Sequence, residues 1–112
     1  MKVLIIEDDV DSATVLKELL QVNHEVIVAH TANDAVSAGI QNKPNFIISD
    51  WDLKDEIDGI EVCRQILEQH KAEIIFLSGS PLDQLKKRST ALSPLSVLSK
   101  PIDFDHLLTL LH

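Results

Sequence analysis

The sequence predicts a single α/β domain built on a doubly wound, five-stranded parallel sheet, and three observations carry that prediction. Short apolar runs of strand length recur along the chain, among them Val3-Leu4-Ile5-Ile6, Phe46-Ile47-Ile48-Ser49, Ile74-Ile75-Phe76-Leu77 and Leu95-Ser96-Val97-Leu98. After each run the apolar period changes to that of a helix. The 112 residues hold five such β-then-α units with no repeat, linker or low-complexity stretch between them. Right-handed crossovers then favour a parallel sheet covered on both faces.

Lys2 to Ile6 is a fully apolar first strand bounded by charge, the pattern of a strand buried on both faces. The first helix is expected over Asp11 to Val22, with Val15, Leu16, Leu19 and Leu20 inward and Asp11 or Ser12 as N-cap. Glu25 to Ala29 reads as the second strand. Thr31 caps a second helix to Gln41, whose inner face is Ala32, Ala35, Val36, Gly39 and Ile40. After Pro44, Asn45 to Asp50 makes the third strand. A polar, acidic loop from Trp51 to Ile57 leads to a helix over Asp58 to His70 with Ile60, Cys63, Ile66 and Leu67 inward. Glu73 to Leu77 is the fourth strand, followed by a weaker helix from Leu82 to Ala91 that has few apolar positions beyond Leu82, Leu85 and Ala91. Leu95 to Ser99 is the fifth strand. Asp103 to Leu111 closes the pattern with Phe104, Leu107, Leu108 and Leu111 inward.

Composition narrows the function. The chain is 45% hydrophobic and 25% charged, as ordinary globular proteins are, and no apolar run approaches the ~20 residues of a membrane span. The N-terminal apolar run is too short for a secretory signal, so cytoplasmic location is the default expectation. The single cysteine, Cys63, reads as a buried thiol. A formal net charge of -8 opposes nucleic-acid binding, which needs clustered Lys and Arg. The one basic cluster, Lys86-Lys87-Arg88, reads as a solvated helix face. His24, His30, His70, His106 and His112 are scattered, without the spacing of a zinc site. There is also no glycine-rich phosphate loop and no completed EF-hand.

The chemistry concentrates at strand ends. Parallel strands align their carboxyl ends along one edge, where open α/β sheets bind ligands. Glu7-Asp8, Asp50, Ser78 and Lys100 all end or follow such strands. Two carboxylates about 4 Å apart repel by ~4 kcal/mol at an effective dielectric near 20, so three of them call for a cation. Mg²⁺ suits them, since it takes one or two carboxylates, keeps waters and accepts phosphoryl oxygens. Asp50, ending a buried strand opposite Glu7 and Asp8, is then the candidate nucleophile toward phosphorus. Ser78 is suited to donate a hydrogen bond to one phosphoryl oxygen and Lys100 to place a point charge beside another.

These residues resemble the receiver domains of two-component response regulators over essentially the whole chain, 1–112. Val3-Leu4-Ile5-Ile6-Glu7-Asp8-Asp9 is similar to the family's first strand and acidic pair, and Ile47-Ile48-Ser49-Asp50 to its phosphoacceptor strand. Asp58-Gly59-Ile60-Glu61 resembles the turn opening its third helix, Phe76-Leu77-Ser78-Gly79 its hydroxyl position, and Lys100-Pro101 its lysine-proline pair, whose peptide bond is typically cis. The resemblance implies a flavodoxin-like sheet of order 2-1-3-4-5. It implies Mg²⁺ bound by Asp8, Asp50 and the main-chain carbonyl of Asp52, with Glu7 close by through water. It further implies phosphorylation of Asp50 from a sensor histidine kinase or a histidine phosphotransfer protein, in a domain that is not itself an enzyme in the ordinary sense. Ser78 then turns toward the phosphate and repacks the surface around the fourth helix and fifth strand, while Asp52 and Ser80 set the lifetime of the phosphorylated state. The first helix, Asp11 to Val22, is expected to help choose the kinase, and Trp51 to report the site by fluorescence.

Departures from the family pattern fall in two places. The loop from Asp50 to Gly59 is one residue longer than the commonest form and lacks its usual proline, so Asp55 and Glu56 receive no ligand role. Val97 stands where the family often has an aromatic that swings with the hydroxyl residue, and the chain has no tyrosine. Val10 also replaces a frequent proline. Two other readings compete. Asp50-Trp51-Asp52 fits the haloacid-dehalogenase-like phosphatases, with Asp52 as general acid, though the chain is short for one and its acidic pair precedes the nucleophile. A pseudo-receiver binding module is the other, opposed by the presence of the acidic pair, the aspartate and the lysine.

Overall fold

The computed structural model describes residues 1–53, 55–79 and 82–111; Ser80 and His112 lie outside them. Five parallel strands, β1 (Lys2–Ile6), β2 (Glu25–Ala29), β3 (Phe46–Asp50), β4 (Glu73–Ser78) and β5 (Ser96–Ser99), form one sheet of order β2-β1-β3-β4-β5. They alternate with α1 (Val10–Leu20), α2 (Ala32–Asn42), α3 (Gly59–Gln69), α4 (Leu82–Ser89) and α5 (Phe104–Leu110), and a 3₁₀ turn, Thr90–Leu92, follows α4.

Alternation along the strands divides the core in two. Leu4, Ile6, Ile47, Ile74 and Phe76 point to one face, where they meet Ala35 of α2, Val62 and Ile66 of α3 and Leu85 of α4. Val3, Ile5, Phe46, Ile48, Ile75 and Leu77 point to the other and meet Leu16 and Leu20 of α1 and Leu107 and Leu111 at α5. Each such side chain contributes about 1.5–3 kcal/mol when fully buried. Because both faces are covered, the strands carry uninterrupted apolar runs instead of alternating apolar and polar residues.

Four helix expectations shift, the first being Ile40 of α2, expected inward but 38% exposed. The N-cap of α1 is Asp9, not Asp11 or Ser12; the Ser12 hydroxyl donates to Asp9 Oδ2 at 2.6 Å. The buried stripe of α1 is Ala13, Leu16 and Leu20, and Val15 stays half exposed, at 51%. The fourth helix ends at Ser89, with Ala91 exposed in the 3₁₀ turn. On α5, Leu107 and Leu111 are buried, whereas Phe104 and Leu108 stay 38% and 36% exposed. This seven-residue helix seats only one edge of its apolar surface on the sheet. The caps Thr31, Asp58 and Asp103 each accept from a first-turn amide, as their residue types favour.

Candidate functional site

The chain runs from β1 outward to β2 and then back across to β3, so a crevice opens between the carboxyl ends of β1 and β3. Glu7 and Asp8 leave β1 directly into it, and Asp50 ends β3 opposite them. One carboxylate oxygen from each of Glu7, Asp8 and Asp50 lies within 4.8 Å of the others. Glu7 and Asp50 are buried, at 2% and 7% exposure, and Asp8 is half-buried.

Lys100, carried in from the end of β5, places its Nζ 3.3 Å from Asp50 Oδ2 and 3.5 Å from Glu7 Oε2. Its peptide bond to Pro101 is cis, and its backbone N–H donates to the Ser78 carbonyl at 2.7 Å. Its ammonium faces two of the three carboxylates. Burial pushes the Glu7 carboxyl above its ordinary value, and the neighbouring Asp50 adds to this; Lys100 pulls the other way. Burial likewise raises Asp50 more than Lys100 holds it down. Burial also pulls the Lys100 ammonium down, but Asp50 and Glu7 outweigh it and the net direction is up. Both carboxyls are therefore costly to ionise where they stand, chiefly because burial takes them out of water.

The backbone around this crevice is clamped. Gly59 lies so close beneath β3 that a Cβ there would come within 2.2 Å of the Asp50 carbonyl oxygen and 2.6 Å of Ser49 Oγ. Its N–H donates to the Trp51 carbonyl at 2.8 Å, closing the acidic loop on itself. Within that loop Leu53 is buried in the core. Asp55 does not approach the acidic cluster; its Oδ2 accepts from Ala32 N at 2.9 Å, the first residue of α2. That bond holds the Asp55 carboxyl below its ordinary range. The longer loop therefore reaches sideways to a neighbouring helix. On the other flank, a His30 ring nitrogen donates to the Glu7 carbonyl at 3.0 Å.

Of the residues singled out from sequence, Glu7, Asp8, Asp50 and Lys100 converge. Asp52 adds no carboxylate to the cluster, although its N–H lies 3.4 Å from Asp50 Oδ1. Ser78 is fully buried at the end of β4, one position beyond the register partner of Asp50, and its hydroxyl accepts a hydrogen bond from Trp51 Nε1 at 2.8 Å. Sequence reasoning missed that contact, the ion pair of Lys100 with Glu7 and the cap from Asp55. Each joins residues 23 to 93 positions apart, and no local spacing announces them.

Beside the cluster is a hollow of about 270 Å³ lined by Ser12, Val15, Leu16, Lys100, Ile102 and Phe104, among others. Its exposed apolar rim comes from α1 and α5. Cys63, expected to be buried, is so, and burial pushes its thiol up to about 12. No helix among the described residues is long and apolar enough to cross a membrane.

Comparison with known proteins agrees with this architecture. The family model of the response regulator receiver domain matches residues 3–112. The chain belongs to that family, a class of signalling domain in two-component systems. A two-component response regulator from Clostridium difficile superposes with a TM-score of 0.89 at 24% identity, over 97% of this chain and 90% of its own. The chemotaxis protein CheY4 of Vibrio cholerae gives 0.87 at 24%, over 96% and 92%. The signal receiver domain of a modulated diguanylate cyclase from Desulfovibrio desulfuricans G20 gives 0.87 at 26%, over 97% and 88%. The haloacid-dehalogenase-like reading of Asp50-Trp51-Asp52 gives way to this family assignment.

Proposed function

We propose that the domain accepts a phosphoryl group on Asp50 from a phosphohistidine of a sensor histidine kinase or a histidine phosphotransfer protein. The observation that carries this is the buried Asp50 carboxylate, set within 4.8 Å of the Glu7 and Asp8 carboxylates and 3.3 Å from the Lys100 ammonium. Three carboxylate oxygens so close fit a divalent cation. Asp8 and Asp50 would hold Mg²⁺ directly, with the Asp52 carbonyl, and Glu7 through water. When bound, the ion supplies positive charge to the phosphoryl oxygens.

The chain's own residues then divide the work. An Asp50 oxygen attacks phosphorus in line; the new O–P bond forms as the N–P bond of the phosphohistidine breaks, and the imidazole nitrogen keeps the electron pair and takes up a proton. Lys100 exchanges its ion pair with Asp50 for one with a phosphoryl oxygen, and Ser78 donates its hydroxyl proton to another. Water attack on phosphorus later restores Asp50, at a rate to which Asp52 and Ser80 contribute.

The test is intact mass after incubation with acetyl phosphate, with and without Mg²⁺. One phosphoryl group is expected on the wild-type protein only with Mg²⁺, and none on Asp50→Asn. Lys100→Ala should keep metal binding, read by quenching of Trp51 fluorescence, while losing most of its adduct. Retention of an aspartyl phosphate by Asp50→Asn would overturn the assignment, and a protein that gains no mass from any phosphodonor would leave the pseudo-receiver reading.

A further inference from the structure

Val97 on β5 offers no aromatic ring to follow movement of Ser78, yet an aromatic ring touches Ser78 from another direction. Trp51, the residue after Asp50, donates its indole N–H to the Ser78 hydroxyl at 2.8 Å. Over the same ring lies Arg88 of α4, its guanidinium carbon 5.2 Å from the ring centroid, a cation–π distance. The Arg88 guanidinium also reaches Asp58 Oδ2 at 2.5 Å, while Asp58 Oδ1 caps α3 through Glu61 N at 3.0 Å. A continuous chain of contacts thus runs from Ser78 through Trp51 and Arg88 to the start of α3.

We propose that Trp51 is the side chain that couples Ser78 to α4: its indole holds the Ser78 hydroxyl in the resting domain, and Arg88 ties the indole to the helix. The coupling rests on the phosphoacceptor reading for its trigger. An indole nitrogen only donates, and once half-buried it needs an acceptor. When the Ser78 hydroxyl turns toward a phosphoryl oxygen, Trp51 loses that acceptor and the ring repositions. Arg88 has then lost the surface against which it packs.

α4 is suited to answer so local a change. Among its described residues only Leu85 and Ser89 are buried, and beyond a half-buried Leu82 its remaining surface is Asp, Gln, Lys and Arg. A helix anchored by one leucine is drawn from the low-stability end of a fold. Arg88 adds a polar tether to that single anchor, placed one turn further along the helix. With the ring gone, Arg88 is held by Asp58 alone, and α4 shifts on Leu85 as pivot.

The sole tryptophan of the chain gives one indole N–H resonance, which makes the contact directly readable by NMR. In the resting protein that proton should exchange slowly, and Ser78→Ala should speed its exchange roughly five- to tenfold, as loss of one hydrogen bond implies. Acetyl phosphate with Mg²⁺ should move the wild-type indole resonance in the same direction as Ser78→Ala. Trp51→Phe, which keeps a ring but no donor, and Arg88→Ala, at an exposed position, should both accelerate amide exchange in α4 before phosphorylation. Arg88→Ala should still gain one phosphoryl group by mass. An indole signal indifferent to Ser78→Ala, or α4 amides indifferent to both Trp51→Phe and Arg88→Ala, would overturn the coupling. Absence of any phosphoryl adduct on the wild-type protein would instead strike the phosphoacceptor reading, and the resting-state variants would still decide whether Trp51 links Ser78 to α4.

Discussion

Glu7 and Asp50 carry the most consequential charges in the protein, because burial raises both above their ordinary values of 4.5 and 3.8. A carboxyl with a raised folded value binds its proton more tightly in the folded chain than in the unfolded one. These two groups therefore cost stability as pH rises through their folded values. Asp55 and Glu61 run the other way: their lowered values contribute stability that is lost on acidification. Comparison with Asp50→Asn separates the two trends. In metal-free buffer near neutral pH, Asp50→Asn should be more stable than wild type, with the gap closing on acidification. Mg²⁺ should raise the wild-type melting temperature at neutral pH, less in acid, and barely in Asp50→Asn. Calorimetry across pH, with and without the ion, reads all of these.

Among elements, the segment joining β3 to α3 matters most for the site, since it is fastened at several points before α3 begins. Gly59→Ala would force a methyl against the Asp50 carbonyl, where backbone and not a flexible side chain must yield. A destabilisation of about 1–3 kcal/mol is expected in chemical denaturation, together with slower uptake of phosphoryl groups from acetyl phosphate. Asp55→Ala should behave differently: faster amide exchange confined to the first turn of α2, with phosphorylation unaffected, since its bond to Ala32 lies away from Asp50. The boundaries of this segment were legible from Asp50 and Asp58-Gly59, because a strand end and a helix cap have local signatures. Its path was not, because nothing near Asp55 in sequence says which distant amide it meets. The helix faces were misread for a related reason. Apolar spacing alone favours Val15, Phe104 and Leu108 as inward, but the docking angle of each helix on the sheet decides which edge of the stripe is covered.

At the scale of the molecule, the convergence of four site residues followed from where apolar runs stop, since a parallel sheet aligns those ends wherever they occur in the chain, whereas the strand order came from the family resemblance. Ion pairs and side-chain contacts across the crevice depend on rotamers that no spacing specifies. The exposed apolar side chains of α1 and α5, Val15 and Phe104 foremost, rim the hollow next to the acidic cluster, and a phosphohistidine delivered to Asp50 would arrive over that rim. Val15→Glu should lower the rate of transfer from a phosphorylated partner about tenfold, as loss of a central contact does, while transfer from acetyl phosphate stays unchanged. Equal rates from the partner before and after the substitution would place docking elsewhere.

The reach of Asp55 to α2 also bears on how such a domain changes over generations. A lineage that shortened this loop by a residue would withdraw an acceptor from a helix it never touched in sequence, and selection would then meet the loss at Ala32 instead of at the deletion. Loop length and helix start are in that sense one inherited unit. A transplant of the commoner, shorter loop into this chain would need a new acceptor for the Ala32 N–H to travel with it.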